Sequence, residues 1–156
     1  MANMIGSKRS NLFLKHLNKV GVIMGWDLTI INVVDGSKTI EEIGEDSVEP
    51  VGNRERVISL IKKIFPDANV SDSSWITVHR KSYSLEFSLS QQEWIDSFMV
   101  HIHGNDEKVV DAIAEFCLAS GWSALDAAIG NLIDFSSDGY QEGRLRWVNY
   151  RNQTSR

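Results

Sequence analysis

The sequence predicts an α+β domain in which two helices pack on one face of a mainly antiparallel sheet of about five strands. Short segments rich in β-branched and aromatic residues recur along the chain, and two longer stretches repeat apolar residues at helical spacing. The links between the middle strand segments are short, which favours antiparallel hairpins over crossover connections. The predicted order of elements is therefore β-α-β-β-β-α-β.

The first third of the predicted domain contains one strand and one acidic loop. The segment WDLTIINVV (26–34) is rich in β-branched residues and is followed by Asp35-Gly36, so we predict a strand that ends in a turn. Residues 37–50 are acidic and show no sustained hydrophobic period. We therefore predict a loop here, with one helical turn at 39–43.

Two helices and four further strands complete the prediction. Asn53 is suited to N-cap an amphipathic helix that Pro66 ends, and a second helix at 107–120 ends at Gly121. In the strand candidate at 83–89, apolar residues alternate with serines and Glu86, which predicts one buried and one polar face. The strand candidates are 75–80, 83–89, 95–103 and, with its continuation, 122–135.

Charge divides the chain into three parts. We predict a single domain at 24–135, an N-terminal extension at 1–23 and a basic, aromatic C-terminal tail at 136–156. The formal net charge is −5, but both flanks are basic, and residues 24–135 carry eight basic against nineteen acidic residues. A field of this sign repels nucleic acid and attracts basic partners.

The composition also predicts where the protein resides. No apolar run approaches the roughly 20 residues that a membrane-spanning helix needs. Polar residues interrupt the apolar stretch at the start of the chain, and no small-residue cleavage site follows, so we predict no secretion signal. The single cysteine, Cys117, lies on the apolar side of the second helix, where a thiol is inert. These features predict a soluble, cytoplasmic protein.

The segment MVHIHGND (99–106) raises the question of a metal site. On a strand, His101 and His103 point to the same face, and two imidazoles so placed can hold a metal if a neighbouring strand supplies a third ligand. Glu86 and His79 are the obvious candidates, but no spacing fixes either one. We therefore predict a polar sheet face with two half-exposed histidines, no bound metal and no cofactor. A metal-dependent hydrolase that uses His101 and His103 is the alternative.

Other catalytic patterns are weak. The chain has no Gly-x-Ser-x-Gly elbow and no glycine-rich phosphate loop. In the tail, arginines alternate with Trp147 and Tyr150, a combination that can contact nucleic acid. Docking of the two aromatic rings onto the domain is the simpler interpretation. An RNA-binding accessory protein is a third hypothesis, and the acidic body disfavours it.

A set of segments gives the chain a family resemblance. In order, they are MGWDLTIINV, PVGNRERVISLIKKIFPDA, SSWITVH, YSLEFSLS, SFMVHIHG and GWSALD. In this order and spacing they resemble a family of small uncharacterised bacterial proteins, and the Gly-x-Arg-Glu and Gly-Trp-x-Ala-Leu-Asp blocks are the most specific parts. The family has no established activity, so the resemblance implies a compact domain of the bacterial cytoplasm. The position of His103 is more often arginine in that family, which weighs against a metal site.

These observations favour a non-enzymatic protein-binding module of the bacterial cytoplasm. Small size, an acidic body and the lack of a catalytic constellation suit an immunity-like protein that neutralises a basic toxin such as a nuclease. The predicted partner-binding residues are those of the acidic loop, Glu41, Glu42, Glu45, Asp46 and Glu49.

The predicted domain boundary can be tested by truncation. In the basic segment 1–23, the cluster Leu12, Phe13, Leu14 and Leu17 could form at most one marginal helix. We expect a chain that begins at Met24 to unfold cooperatively at nearly the same urea midpoint as the full chain. Loss of cooperative unfolding would show that the N-terminal segment belongs to the core.

Overall fold

The computed structural model describes residues 25–104, 106–126, 130–133 and 135. Its regular elements are β1 (Trp26–Val33), β2 (Val48–Glu49), β3 (Gly52–Asn53), α1 (Arg54–Ile64), β4 (Trp75–His79), β5 (Tyr83–Ser88), β6 (Trp94–Ile95), β7 (Phe98–Gly104), α2 (Lys108–Ser120), β8 (Ser123–Asp126) and β9 (Asn131–Ile133). The predicted extension at 1–23 and the predicted tail at 136–156 lie outside the described residues. No helix in the described part of the chain is long and apolar enough to cross a membrane.

The described elements form an antiparallel α+β fold, as predicted. A seven-stranded sheet has the order β4-β5-β7-β1-β8-β9, with β2 paired to the end of β1, and β3 and β6 form a separate two-stranded sheet. The β4–β5–β7 meander is confirmed, because β5 pairs antiparallel with both neighbours. The helix α2 connects β7 to β8, which flank β1 on opposite sides.

The predicted number and order of strands are wrong in detail. The strands β2, β3 and β6 have two residues each and are too short for a hydrophobic period. No alternation pattern in the sequence therefore predicts them. The last candidate, 122–135, is two paired strands, β8 and β9, and not one strand with a continuation. The predicted loop at 37–50 holds two 3₁₀ turns, Ile40–Glu42 and Glu45–Ser47, of which the first matches the expected helical turn at 39–43.

The core lies between the helices and one face of the sheet. Alternate residues of each long strand are buried, for example Leu85 and Phe87 in β5 and Val100 and Ile102 in β7. Inward residues of both helices join the same cluster. Aromatic rings form its centre, with Phe116 in contact with three neighbours at centroid distances of 5.7–6.2 Å. Each helix therefore covers strands that would otherwise expose apolar side chains.

Both predicted helix boundaries are confirmed. The Asn53 side chain accepts a hydrogen bond from the Arg56 backbone N–H at 2.9 Å, which is the expected N-cap of α1. At the end of α2, Gly121 adopts a left-handed conformation with φ of 78°, and its N–H donates to the Cys117 carbonyl. Local chemistry therefore sets the start of α1 and the end of α2.

The buried guanidinium of Arg54 connects α1 to two loops. It donates hydrogen bonds to the carbonyl oxygens of Ser73 and Gln92, each at 2.7 Å, and to that of Ser90. A cation at the N-terminus of a helix is opposed by the helix dipole, so these carbonyls stabilise the side chain there. The arginine thereby holds the loop before β4 against the loop between β5 and β6.

Both outer strands of the large sheet, β4 and β9, also make backbone hydrogen bonds on the side that faces away from the sheet. On the free side of β4, Thr77 exchanges two backbone hydrogen bonds with Asn69, the shorter at 2.8 Å. On the free side of β9, the Leu132 N–H donates to the Lys38 carbonyl at 3.3 Å. The middle of each edge is thus occupied by the chain itself.

Replacement of Arg54 by alanine should destabilise the fold by about 3 kcal/mol, because three carbonyls lose their donors in a largely buried site. Arg54→Lys should lose roughly half as much, since an ammonium cannot span all three acceptors. Urea unfolding measures both. The exposed Arg56→Ala is the control and should change stability by less than about 0.5 kcal/mol. Equal effects at the two positions would contradict a role for Arg54 in loop packing.

Candidate functional site: a polar sheet face and an acidic rim

The side of the sheet opposite the helices carries a group of titratable residues. Antiparallel register places them in two adjacent rows, Thr77–Glu86–His101–Asp27 and His79–Ser84–His103. We call these seven residues, together with Trp75, the helix-free face. The prediction that His101 and His103 share a face opposite Phe98, Val100 and Ile102 is confirmed, because only the latter three are fully buried.

His101 and Asp27 form the tightest contact on this face. The Nδ1–H of His101 donates to Asp27 Oδ1 at 2.7 Å, and the two side chains are 23% and 14% exposed. The hydrogen bond that Asp27 accepts raises the pKa of His101 above its ordinary value, and partial burial opposes this effect. Asp27 was missed by sequence reasoning because it lies 74 residues away, and only the β1–β7 register brings it opposite His101.

His103 occupies a second, separate position. Its Nε2 lies 3.7 Å from Glu86 Oε2, beyond hydrogen-bond distance but close enough for an ion pair when the imidazole is protonated. On the other side, its ring packs so closely on Gly25 that a Cβ there would lie 2.9 Å from Nδ1. The glycine that precedes Trp26 therefore leaves the space in which the His103 ring sits.

Trp75 completes the helix-free face. Its indole ring stacks on the His101 ring, with a centroid distance of 5.6 Å and an interplanar angle of 26°, although the two residues lie two strands apart. The indole remains 40% exposed. The result is an exposed indole stacked on His101, which is paired with Asp27 and lies in register with Glu86.

The arrangement does not gather ligands around one point. In the described part of the chain, no group of three or more His, Cys, Asp or Glu side chains is placed to hold a metal ion. The two imidazoles contact different carboxylates, Asp27 and Glu86. His79, considered as a third ligand, is exposed on the outer strand opposite Ser84. The face can instead bind through hydrogen bonds, charge and aromatic stacking.

The acidic loop at 37–50 is exposed and internally braced. All five predicted partner-binding residues are exposed: Glu41, Glu42, Glu45, Asp46 and Glu49. The Asp35 carboxylate accepts hydrogen bonds from the Ser37 and Ser47 hydroxyls, and these bonds lower its pKa. The Glu42 carboxylate accepts from the Lys38 N–H at 2.8 Å. The loop therefore presents its charges from a fixed backbone.

A further feature near this loop was missed from the sequence. Trp94, in β6, is 58% exposed and lies between the exposed residues Glu93 and Asp96. The backbone N–H of Val51 donates to the Asp96 carbonyl at 3.3 Å, which joins this segment to the end of the acidic loop. The available signal was an aromatic residue in an otherwise polar link, SQQEW. We call the five loop acids together with Glu93 and Asp96 the acidic rim.

Cys117 takes no part in either surface. It is buried in the core, as predicted, and burial raises the pKa of its thiol to about 12. A thiolate is therefore scarce at neutral pH, and the side chain acts as a small apolar group.

Comparisons with known proteins do not extend this description. No family model matches the chain, and no curated protein or solved structure is significantly similar to it. The resemblance to a family of small bacterial proteins stays a prediction.

The Asp27–His101 pair makes stability depend on pH. Because the folded pKa of His101 lies above the unfolded value of 6.5, its contribution is fully present below pH 6.5 and is lost as pH rises through the folded pKa. A hydrogen bond to a charged group contributes roughly 1.5–3 kcal/mol. Above pH 6.5 we expect the urea midpoint of the wild type to fall. The His101→Gln variant should not show this fall. The exposed His79→Gln should retain that fall, and an identical pH profile for wild type and His101→Gln would refute the coupling.

Proposed function

We propose that the protein is a binding module that captures a basic protein, in the manner of an immunity protein that neutralises a basic toxin. The observation that carries the proposal is Trp94, a largely exposed tryptophan set in the acidic rim. Tryptophan is the residue most enriched among side chains that dominate protein–protein binding energy. A cationic side chain stacked on the indole gains a further attraction from the ring.

The acidic rim supports this proposal through its continuity. The end of the loop reaches Glu49 in β2, and two residues later Val51 is hydrogen-bonded to Asp96. On the other side of Trp94, the Glu93 carbonyl accepts from the Arg54 N–H at 2.8 Å, at the start of α1. Acidic residues thus flank Trp94 along the chain, on segments that backbone hydrogen bonds connect to the acidic loop and to α1.

The acidic rim and the Trp94 indole would contribute to different steps of binding. Exposed carboxylates around a patch accelerate the encounter with a cationic partner, an effect that salt screens over about 8–10 Å. Desolvation of the indole in the complex would then slow dissociation. The excess of acidic residues over 24–135 extends the same field across the domain. A localisation in the bacterial cytoplasm belongs to this proposal.

The proposal is tested with the protein as bait in lysate of the source organism. Wild type should retain a stoichiometric basic protein, Trp94→Ala should lose it, and a rim variant should associate at least several-fold more slowly at low salt. The rim variant combines Glu41→Gln, Glu45→Gln, Asp46→Asn and Glu49→Gln and spares Glu42, which braces the loop. Its urea midpoint should stay near the wild-type value, since solvated surface charges contribute little to stability.

Two matched controls lie on α2, away from the rim. Leu118 is an exposed apolar side chain and Glu115 an exposed acid, so Leu118→Ala and Glu115→Gln repeat the same chemical changes on the helix. Both should retain the partner with wild-type kinetics. Retention of the partner by Trp94→Ala, or an equal loss with the controls, would exclude the rim as the binding surface.

A further inference from the structure

We infer that the helix-free face contains a seat for a guanidinium group, formed by the Trp75 indole and the Glu86 carboxylate, which accepts an arginine side chain of the basic partner. The inference rests on the proposed function for the source of the arginine. It adds a second contact surface, distinct from Trp94, and names the chemistry that this surface selects.

The first element of the seat is the exposed indole of Trp75. Its stacking on His101 holds the ring in place, while 40% of the residue remains exposed. The loop before it is fixed by the carbonyl of Ser73, which accepts a hydrogen bond from Arg54. A ring held in this way stacks a planar cation with little loss of side-chain entropy.

The second element is the Glu86 carboxylate. It lies in register between Thr77 of β4 and His101 of β7, and its side chain is 31% exposed. Its nearest described charged partner, His103 Nε2, is 3.7 Å away, so this contact is too long to be a hydrogen bond. An ionised carboxylate can accept about four hydrogen bonds. Glu86 therefore has acceptor capacity next to His101, the residue on which the Trp75 ring stacks. This arrangement suits the planar fork of N–H donors on a guanidinium.

The charges on the face explain why the ligand should be cationic. The groups that surround the seat are Glu86 from β5, Asp27 from β1, His101 and His103 from β7, and His79 from β4. The Glu86 and Asp27 carboxylates make the face attract a cation and repel phosphate or carboxylate.

The test uses a small probe, N-acetyl-arginine amide, added to the full ¹⁵N-labelled chain at pH 8. The probe should shift the indole N–H resonance of Trp75 in a saturable manner, and the neutral analogue with citrulline in place of arginine should not. Glu86→Gln should weaken the apparent affinity at least five-fold. A purely structural Glu86 would leave the affinity for the probe unchanged in the folded Glu86→Gln variant.

Matched variants make the outcome decisive. Glu115→Gln removes the same charge on α2 and should leave the Trp75 titration unchanged, and the urea midpoint of Glu86→Gln establishes that this variant is folded. If Glu86→Gln and Glu115→Gln weaken the affinity for the probe equally, the effect reflects the net charge of the protein alone and the seat is excluded. A shift confined to the Trp94 indole would also overturn it while leaving the proposed function standing. If Trp94→Ala loses the partner in the lysate experiment and Glu86→Gln retains it, the seat is likewise excluded and the proposed function stands.

Discussion

The buried guanidinium of Arg54 is the constraint on which the rest of the surface depends. A charged group out of water is stable only when its donors are satisfied, and here backbone carbonyls, which carry no charge of their own, supply the acceptors. The carbonyls belong to two loops that are distant in sequence. Each loop leads into a strand whose first residue is an exposed tryptophan, Trp75 or Trp94. One side chain therefore positions both aromatic surfaces.

Loop rigidity elsewhere has a common local origin. Asp35, Asp72 and Asn69 each accept hydrogen bonds from the hydroxyl and the backbone N–H of a serine two residues later. These turns lower the pKa of the Asp35 and Asp72 carboxyls, because the donors stabilise the charged form. Loops of this kind lose little entropy when a partner binds, which favours recognition by a preformed surface.

Periodic features could be predicted from the sequence, and contacts between distant segments could not. Alternation in FMVHIHG placed both histidines on one face, and Asn53 and Gly121 marked helix ends, because these signals act over a few residues. The Asp27–His101 pair required the register between β1 and β7. Trp26 and Asp126 lie in two of the segments that carry the family resemblance, and the indole N–H of one donates to the carboxylate of the other at 3.0 Å. No local pattern in the sequence predicts this contact, because the two residues lie 100 positions apart.

The occupied edges of the large sheet limit the ways in which this protein can associate. Strand addition needs a row of unpaired backbone groups, but Asn69 already holds the centre of one outer strand and the segment around Lys38 that of the other. An incoming peptide would have to break existing hydrogen bonds before making its own. The groups that this sheet leaves open to a partner are therefore the side chains that project from its face. The occupied edges also protect the molecule from sheet-to-sheet polymerisation.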